Sequence, residues 1–390
     1  MKKIGVLLTA RPEGGQFQYT QALLEAAIQL PDDSYSVVLA YYDPFWLELI
    51  RGRGRALQLH DSLWSRLMNR IWHEAGLPVW AWRKYAAPFD ASMRALVAEQ
   101  CDLWIFPSHE RHAFRAEVPA LGSVHDLMHR YEPSYSEVFE NGEYAAREFH
   151  FSETCRWSKG ILVDSPVGKQ QLEASYSVDP SKVFVLPFIP PRYIYDHASE
   201  ADAGVVERYS VPSKYFFYPA QFYTHKNHPT LISALARMRD SHPDVRLVLV
   251  GRQERNGFER VQQMVQDHGL VENVLFLGYV PDSDMPELYR RARALVMPTF
   301  FGPTNIPPLE AFAMGCPVAT SRIYGIPDQL GDAALLFDPH SVDELHECLE
   351  RLWTDDRLCA TLAERGRQHA QQWGPLQFND RLREVIEALT

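Results

Sequence analysis

Short apolar runs, each followed by a stretch patterned as a helix, recur from one end of the 390-residue chain to the other. In the first half the runs are 3–9, 35–42, 101–107, 122–127, 160–164 and 183–187. In the second they are 215–219, 245–251, 274–277, 293–297, 319–323 and 334–337. Runs of this length, apolar without alternation, are how strands look when a parallel sheet is covered by helices on both faces. Helical spacing of apolar residues fills the gaps, at 18–30, 165–176, 231–238, 283–291, 342–353, 358–373 and 378–389. The pattern predicts an α/β chain of two doubly wound, Rossmann-like domains, and the length suits two domains. The stretch 187–202 is proline-rich and then acidic, as interdomain connections are. We therefore expect a first domain at 1–190, a linker at 191–212, a second domain at 213–372 and a closing helix at 373–390.

Composition narrows the function classes. A net charge of −11 argues against a nucleic-acid partner. The five cysteines, Cys101, Cys155, Cys316, Cys348 and Cys359, are scattered and form no C-x-x-C, which favours a reducing compartment and no zinc site. The apolar run at 4–10 is strand-sized and is cut by Arg11-Pro12, unlike a signal peptide, and no run approaches bilayer-spanning length. The expectation is a cytoplasmic protein, at most peripheral on a membrane. One region departs from the acidic whole. Residues 51–94 carry eight basic residues against Asp61, Glu74 and Asp90, together with Trp64, Trp72, Trp80 and Trp82. Basic residues interleaved with tryptophan suit an anionic membrane surface. An ordinary helix pair with its tryptophans in the core is the alternative.

The densest run of signals lies at 293–318. A strand-sized apolar run ends at Pro298, a turn-rich loop spans Gly302 to Asn305, and Ile306-Pro307-Pro308 leads into a short helix at 309–314 that Gly315 and Pro317 stop. A helix start offers unpaired N–H groups to an anion such as phosphate. Glu310, in the first turn, would be repelled by phosphate and suits hydroxyls instead; a carboxylate that merely complements the helix dipole is the plainer reading. Other candidates sit at strand ends, where doubly wound folds keep their ligands. Gly14 and Gly15 lie in the loop 11–15 after the first strand, a tight turn if not a ligand approach. His125 closes the run 122–127; His129, four residues on, mimics metal spacing, but no third ligand lies nearby, so no metal is expected. Residues 131–151 read as a mobile loop entering a helix. Lys226 sits just before a helix start, where a cation neutralises a diphosphate.

The segment Phe301-Gly302-Pro303-Thr304-Asn305-Ile306-Pro307-Pro308-Leu309-Glu310-Ala311-Phe312-Ala313-Met314-Gly315-Cys316-Pro317 resembles the nucleotide-sugar signature of the retaining glycosyltransferases of family 4, which have the GT-B fold. The resemblance covers most of the chain, is sharpest between 221 and 318, and extends to the surface-polysaccharide mannosyl and rhamnosyl transferases. It implies two Rossmann-like domains facing across a cleft, with the closing helix crossing back to the first. It implies no metal or other cofactor, a nucleotide sugar as donor, and a glycan or lipid-linked glycan as acceptor. Glu310 would clamp the ribose, Lys226 the diphosphate, and His125 the transferring sugar. The sequence departs from the family twice. Gly302 stands where the family has a first glutamate, eight positions before Glu310, and Gln221 stands where it has an arginine. Backbone amides of Gly302, Thr304, Asn305 and Ile306 are the candidates to replace that glutamate, with the Thr304 and Asn305 amides also on the diphosphate. Arg252, Tyr279 and Val280 are the candidates around the base. The branch favours GDP-mannose or GDP-rhamnose over a UDP-sugar. The rivals are a sugar-nucleotide epimerase, a phosphorylase and a non-catalytic partner of a transferase.

Overall fold

The computed structural model describes residues 1–50, 52–196, 203–253 and 256–390. Arg51 of the basic stretch and residues 197–202 of the expected linker lie outside the described residues. The chain forms two compact units.

The first unit comprises residues 1–129, 142–187 and 375–390. Its strands are β1 (Lys2–Leu8), β2 (Tyr35–Tyr41), β3 (Arg55–Gln58), β4 (Leu103–Ile105), β5 (Ala120–Ser123), β6 (Gly160–Val163) and β7 (Val183–Val185). They make one sheet in the order β3-β2-β1-β4-β5-β6-β7, every described pair parallel. Register is set from Lys2 opposite Tyr35 to Leu8 opposite Tyr41, and from Ile4 opposite Leu103. Ile4, Val6, Leu7 and Leu8 are fully buried, as a central parallel strand requires. Gly5 lets the Trp104 ring lie against the strand, because a Cβ there would stand 2.3 Å from it. The helix Pro375–Leu389 packs against the helix Gly14–Ile28 in this unit, with Leu389 over Gly160 and Asn379 hydrogen-bonded to Gln29.

The basic, tryptophan-rich stretch divides between the two readings. Trp72 and Trp82 are buried and meet edge to face at 5.4 Å, whereas Trp64 and Trp80 are exposed. The stretch also supplies β3, an edge strand the sequence did not announce, since three of its four residues are exposed and its pattern is polar. Residues 131–151 are not a loop: helices run at Met128–Tyr131, Ser136–Phe139 and Glu143–Trp157.

The second unit comprises residues 130–141 and 188–374. Its strands are β8 (Phe216–Pro219), β9 (Leu247–Val250), β10 (Val274–Gly278), β11 (Ala294–Met297), β12 (Val318–Ser321) and β13 (Ala334–Phe337). Again all pairs are parallel, in the order β10-β9-β8-β11-β12-β13. Tyr215, Phe216, Phe217, Tyr218, Leu247, Val248, Ala294 and Val296 form the centre of its core. The stretch expected as a linker is otherwise disposed. Its described parts form helices Arg192–Asp196 and Ala203–Tyr209, and Ile194 and Val205 are fully buried in this core.

In each sheet the chain reverses its winding direction once, between β1 and β4 and between β8 and β11. At such a point the loops beyond the strand ends diverge and leave a crevice, the usual ligand position in doubly wound folds. The strand order therefore directs attention to the segments after β1, β4, β8 and β11.

Candidate functional site

In the second unit the crevice is walled on one side by the segment after β8. Asn227, buried and at a φ of +56°, bolts it down: its Nδ2 donates to the carbonyls of Pro298 (2.8 Å) and Pro339 (2.9 Å), and its Oδ1 accepts from Thr230. The Tyr218 hydroxyl, from within β8, donates to the Lys226 carbonyl at 2.9 Å. His228 lies against Tyr218 and Phe222, and burial pushes its pKa down to about 3, so it packs as a neutral ring. The half-buried Lys226 thus stands on a backbone fixed from below. Gln221, exposed, accepts a hydrogen bond at Oε1 from the Arg252 amide (3.2 Å), tying the loop after β8 to the loop after β9. Its carboxamide oxygen is occupied, so any contact with an anion falls to Nε2. The Arg252 guanidinium lies 5.7 Å from the centre of the exposed Tyr279 ring. Val280 is a correction: its side chain is core, leaving only its backbone for a ligand.

The other wall is the segment after β11. Its first residues are pinned to the opposite wall, with the Phe300 amide and the Thr299 hydroxyl both donating to the His225 carbonyl. Tyr135 stacks on Phe300, and Glu137 pairs with His225 at 3.2 Å, which helps hold its carboxyl down to about 2 against the cost of burial. Gly302 has a φ of +142°, and a Cβ there would meet the Asn305 carboxamide, 2.5 Å from Nδ2. The Asn305 side chain therefore occupies the place from which a side chain at 302 would extend. Asn305 is buried and its Nδ2 has no hydrogen-bond partner. Gln329 grips its backbone from both directions: Gln329 Oε1 accepts from the Asn305 amide (3.0 Å) and Nε2 donates to the Asn305 carbonyl (2.8 Å).

Two expectations are overturned here. The Asn305 amide is already satisfied by Gln329 and is not presented to a phosphate. Nor does the helix Pro307–Ala313 present donors at its start: Pro307 and Pro308 have no N–H, and the amides of Leu309 and Glu310 both donate to the Ile306 carbonyl. Of the loop donors the Asn305 amide is thus taken, and the side-chain donors after β8 and β11 include the Lys226 ammonium, Gln221 Nε2 and the buried Asn305 Nδ2. Glu310 is buried, and its two oxygens accept from the hydroxyls of Tyr193 and Tyr289. Burial raises its pKa to about 7, although both hydroxyls favour the charged form and oppose the shift. Thr304 and Ile306 are partly buried.

In the first unit, Gly14 and Gly15 do not form a loop. They open the helix Gly14–Ile28, four residues ahead of the expected start, exposed and with Gly14 at a φ of +75°. His125 follows β5, its Nε2 engaged with the Pro107 carbonyl at 2.9 Å and its ring edge-on to Tyr19 at 4.9 Å. Burial lowers its pKa, which leaves a neutral hydrogen-bonding ring near pH 7. His129 turns to Glu148 and Tyr176, each at 3.2 Å. Among the described residues no group of three or more His, Cys, Asp or Glu side chains is arranged to hold a metal ion.

Sequence reasoning missed two residues beyond β4. His109, a partly buried residue, packs against His125, His150 and Phe151, with its Nε2 buried and unpartnered and its pKa well down through desolvation. Glu110 bridges the crevice between β1 and β4, accepting from the Thr9 hydroxyl (2.7 Å) and the Ser108 amide (2.8 Å), and burial lifts its pKa to about 7. Both follow directly on a strand already recognised, so reading past the strand end would have found them.

The geometry agrees with comparison to known proteins. Residues 181–369 match the model of the family described as glycosyl transferases group 1. O-antigen chain mannosyltransferase B of Escherichia coli is 33% identical over 150 residues, 38% of this chain and 35% of that protein. The serotype-specific mannosyltransferase WbdA of Escherichia coli is 26% identical over 168 residues, 42% of this chain and 20% of that protein. The matches thus span between a fifth and about a third of these two relatives. Among solved structures, Anabaena HepE in complex with UDP and glucose superposes with a TM-score of 0.74 at 17% identity, covering 100% of both chains, a likeness of fold. The likeness to the glycosyl transferases of group 1 thus lies in residues 181–369, just under half of the chain, which include all six strands of the second unit's sheet.

Proposed function

We propose that the chain is a retaining glycosyltransferase that moves a hexose or deoxyhexose from a nucleoside-diphosphate sugar to a hydroxyl of a glycan or lipid-linked glycan in polysaccharide assembly. The observation that carries this reading is that the group 1 match includes both segments at the winding reversal, Gln221 and Lys226 after β8 and Gly302 to Glu310 after β11. GDP-mannose or GDP-rhamnose is the leading donor, a choice supported by the mannosyltransferase relatives.

In this reading the departing diphosphate is stabilised by the Lys226 ammonium and by the carboxamides of Gln221 and Asn305, in a crevice whose walls are already fixed. The bond from the anomeric carbon to the phosphate oxygen breaks, the acceptor oxygen bonds on the same face, and its proton passes to the departing phosphate. His125 hydrogen-bonds the sugar and is not asked to carry a proton. A carboxylate oxygen has two acceptor sites, so a ribose hydroxyl joins Glu310 beside its tyrosine hydroxyls. The base lies near the Arg252–Tyr279 pair. Lys226 supplies the charge, and the protein works in the cytoplasm on a membrane-bound acceptor.

A second reading, a non-catalytic GT-B partner, is favoured by Gly302 and Gln221, which remove a carboxylate and a charge that the related transferases use. Thermal unfolding against GDP, UDP, ADP and dTDP, with their sugars, tests the donor site. A ligand at about a hundred times its dissociation constant adds roughly 2.7 kcal/mol. We expect guanine nucleotides to stabilise the wild type and Lys226→Ala much less. Stabilisation by UDP alone moves the assignment to a UDP-sugar transferase. No stabilisation by any nucleotide overturns the donor site, and nucleotide binding without transfer to any glycan acceptor favours the non-catalytic reading.

A further inference from the structure

The helix Leu63–Glu74 carries two apolar stripes, and only one of them is packed. Ser65, Met68, Asn69 and Trp72 face inward: Ser65 and Trp72 are buried, Trp72 meets Trp82, and Asn69 accepts from Arg115. At 100° per residue these four occupy one side of the helix. Leu63, Trp64, Leu67 and Ile71 occupy a second arc about 100° wide beside it. They are 84%, 52%, 51% and 44% exposed. Arg66 and Arg70, also exposed, border that arc on the side away from the core. Beyond the helix the chain exposes Leu77 and Trp80.

From this arrangement we infer that the helix lies flat on an anionic lipid bilayer, its Leu63-Trp64-Leu67-Ile71 stripe at the acyl boundary and its arginines at the headgroups. The inference is independent of the donor assignment. Three features select this occupant. First, an in-plane helix has an apolar face bordered by long cations whose stems cross the boundary, and this one does. Second, Arg66 and Arg70 beside the stripe belong to a segment, residues 51–94, with eight Lys and Arg against three acids on a chain of net charge −11, a local balance that suits anionic headgroups. Third, an indole at the stripe's edge suits the polar–apolar boundary. The stripe amounts to roughly a few hundred Å², less than the roughly 800 Å² each partner gives to a stable protein interface. Among the described residues no helix is long and apolar enough to cross a membrane, so the contact is interfacial.

The test is co-flotation of the full chain with phosphatidylcholine vesicles, with and without phosphatidylglycerol, beside analytical sedimentation without lipid. The wild type is expected to float only with phosphatidylglycerol and to be released by high salt. Leu67→Glu with Ile71→Glu should weaken binding about tenfold or more. Arg66→Gln with Arg70→Gln should weaken the preference for phosphatidylglycerol. If the double glutamate variant unfolds, Leu63→Glu, at the most exposed position of the stripe, replaces it. Absence of flotation at low salt overturns the inference, as does binding unchanged by the stripe variants. A dimer that those variants dissociate assigns the stripe to a second copy and overturns it equally.

Discussion

Replacing Gly302 with alanine tests the central geometric claim about the crevice, that Asn305 fills the place of a side chain at 302. At a φ of +142° the backbone is in a region side chains rarely adopt, which costs about 1–3 kcal/mol. The new Cβ would also stand 2.5 Å from Asn305 Nδ2, 3.0 Å from Oδ1 and 3.1 Å from Cγ. Asn305 cannot back away freely, because Gln329 holds its amide and its carbonyl. Strain and clash together should cost about 2–4 kcal/mol, within the range of special-conformation glycines. For a unit of this size that lowers the melting temperature by roughly 4–16 °C. The clash separates from the strain in a double-mutant cycle with Asn305→Gly, which empties the space but leaves φ unchanged. In that background the cost of Gly302→Ala should fall by about 1 kcal/mol or more. Gly302→Glu, which restores the carboxylate of the related transferases, should be worse than alanine, not better. The reasoning is refuted if Gly302→Ala melts within about 0.5 kcal/mol of wild type, or costs the same with and without the Asn305 side chain.

Other expectations concern buried charge and the clamp on the loop. Glu310 and Glu110 both have folded pKa values raised to about 7. The fold therefore holds a proton that the unfolded chain releases above its ordinary carboxylate pKa. Their stabilising contribution is complete below that value and is lost as pH rises to about 7, on the order of 1–3 kcal/mol each; urea unfolding at pH 5 and pH 8 should show the loss, and Glu310→Gln and Glu110→Gln should each remove their share. The histidines act in the opposite sense. His109, His125 and His150 are depressed by burial, His150 to about 4, so their contribution is intact above the unfolded imidazole pKa and drains away as pH falls. His150→Phe should flatten the stability curve between pH 6 and pH 4, and an unchanged acid limb would exclude this cause. Gln329→Ala strands the amide and carbonyl of Asn305, at a cost of about 1–3 kcal/mol, and should weaken nucleotide stabilisation; Gln329→Glu, which keeps the acceptor, should lose less.

The sequence made the architecture legible because a parallel strand buried on both faces must be apolar throughout, so every strand among the described residues but β3 stood out as a run. β3 did not, since an edge strand with three exposed residues has no reason to be apolar. Within the candidate site, a residue's position after a strand was legible, as with Lys226, Gln221 and Arg252, and what that residue meets was not. Tyr193 reaches Glu310 across 117 positions. No local pattern encodes that, and it changes the carboxylate from a presented ribose clamp into a buried hub that a ligand must join. Pro307-Pro308 carries the opposite lesson. The missing N–H groups were visible in the sequence, yet a helix start was still credited with donors. The structure exposes the contradiction, because the next two amides close on Ile306. The departure at Gly302 fits the same logic. At a φ of +142°, and with Asn305 Nδ2 2.5 Å from where a Cβ at 302 would stand, no larger side chain fits at 302 unless Asn305 moves. The side chains of 302 and 305 compete for one space, which is why their substitutions should be coupled in energy.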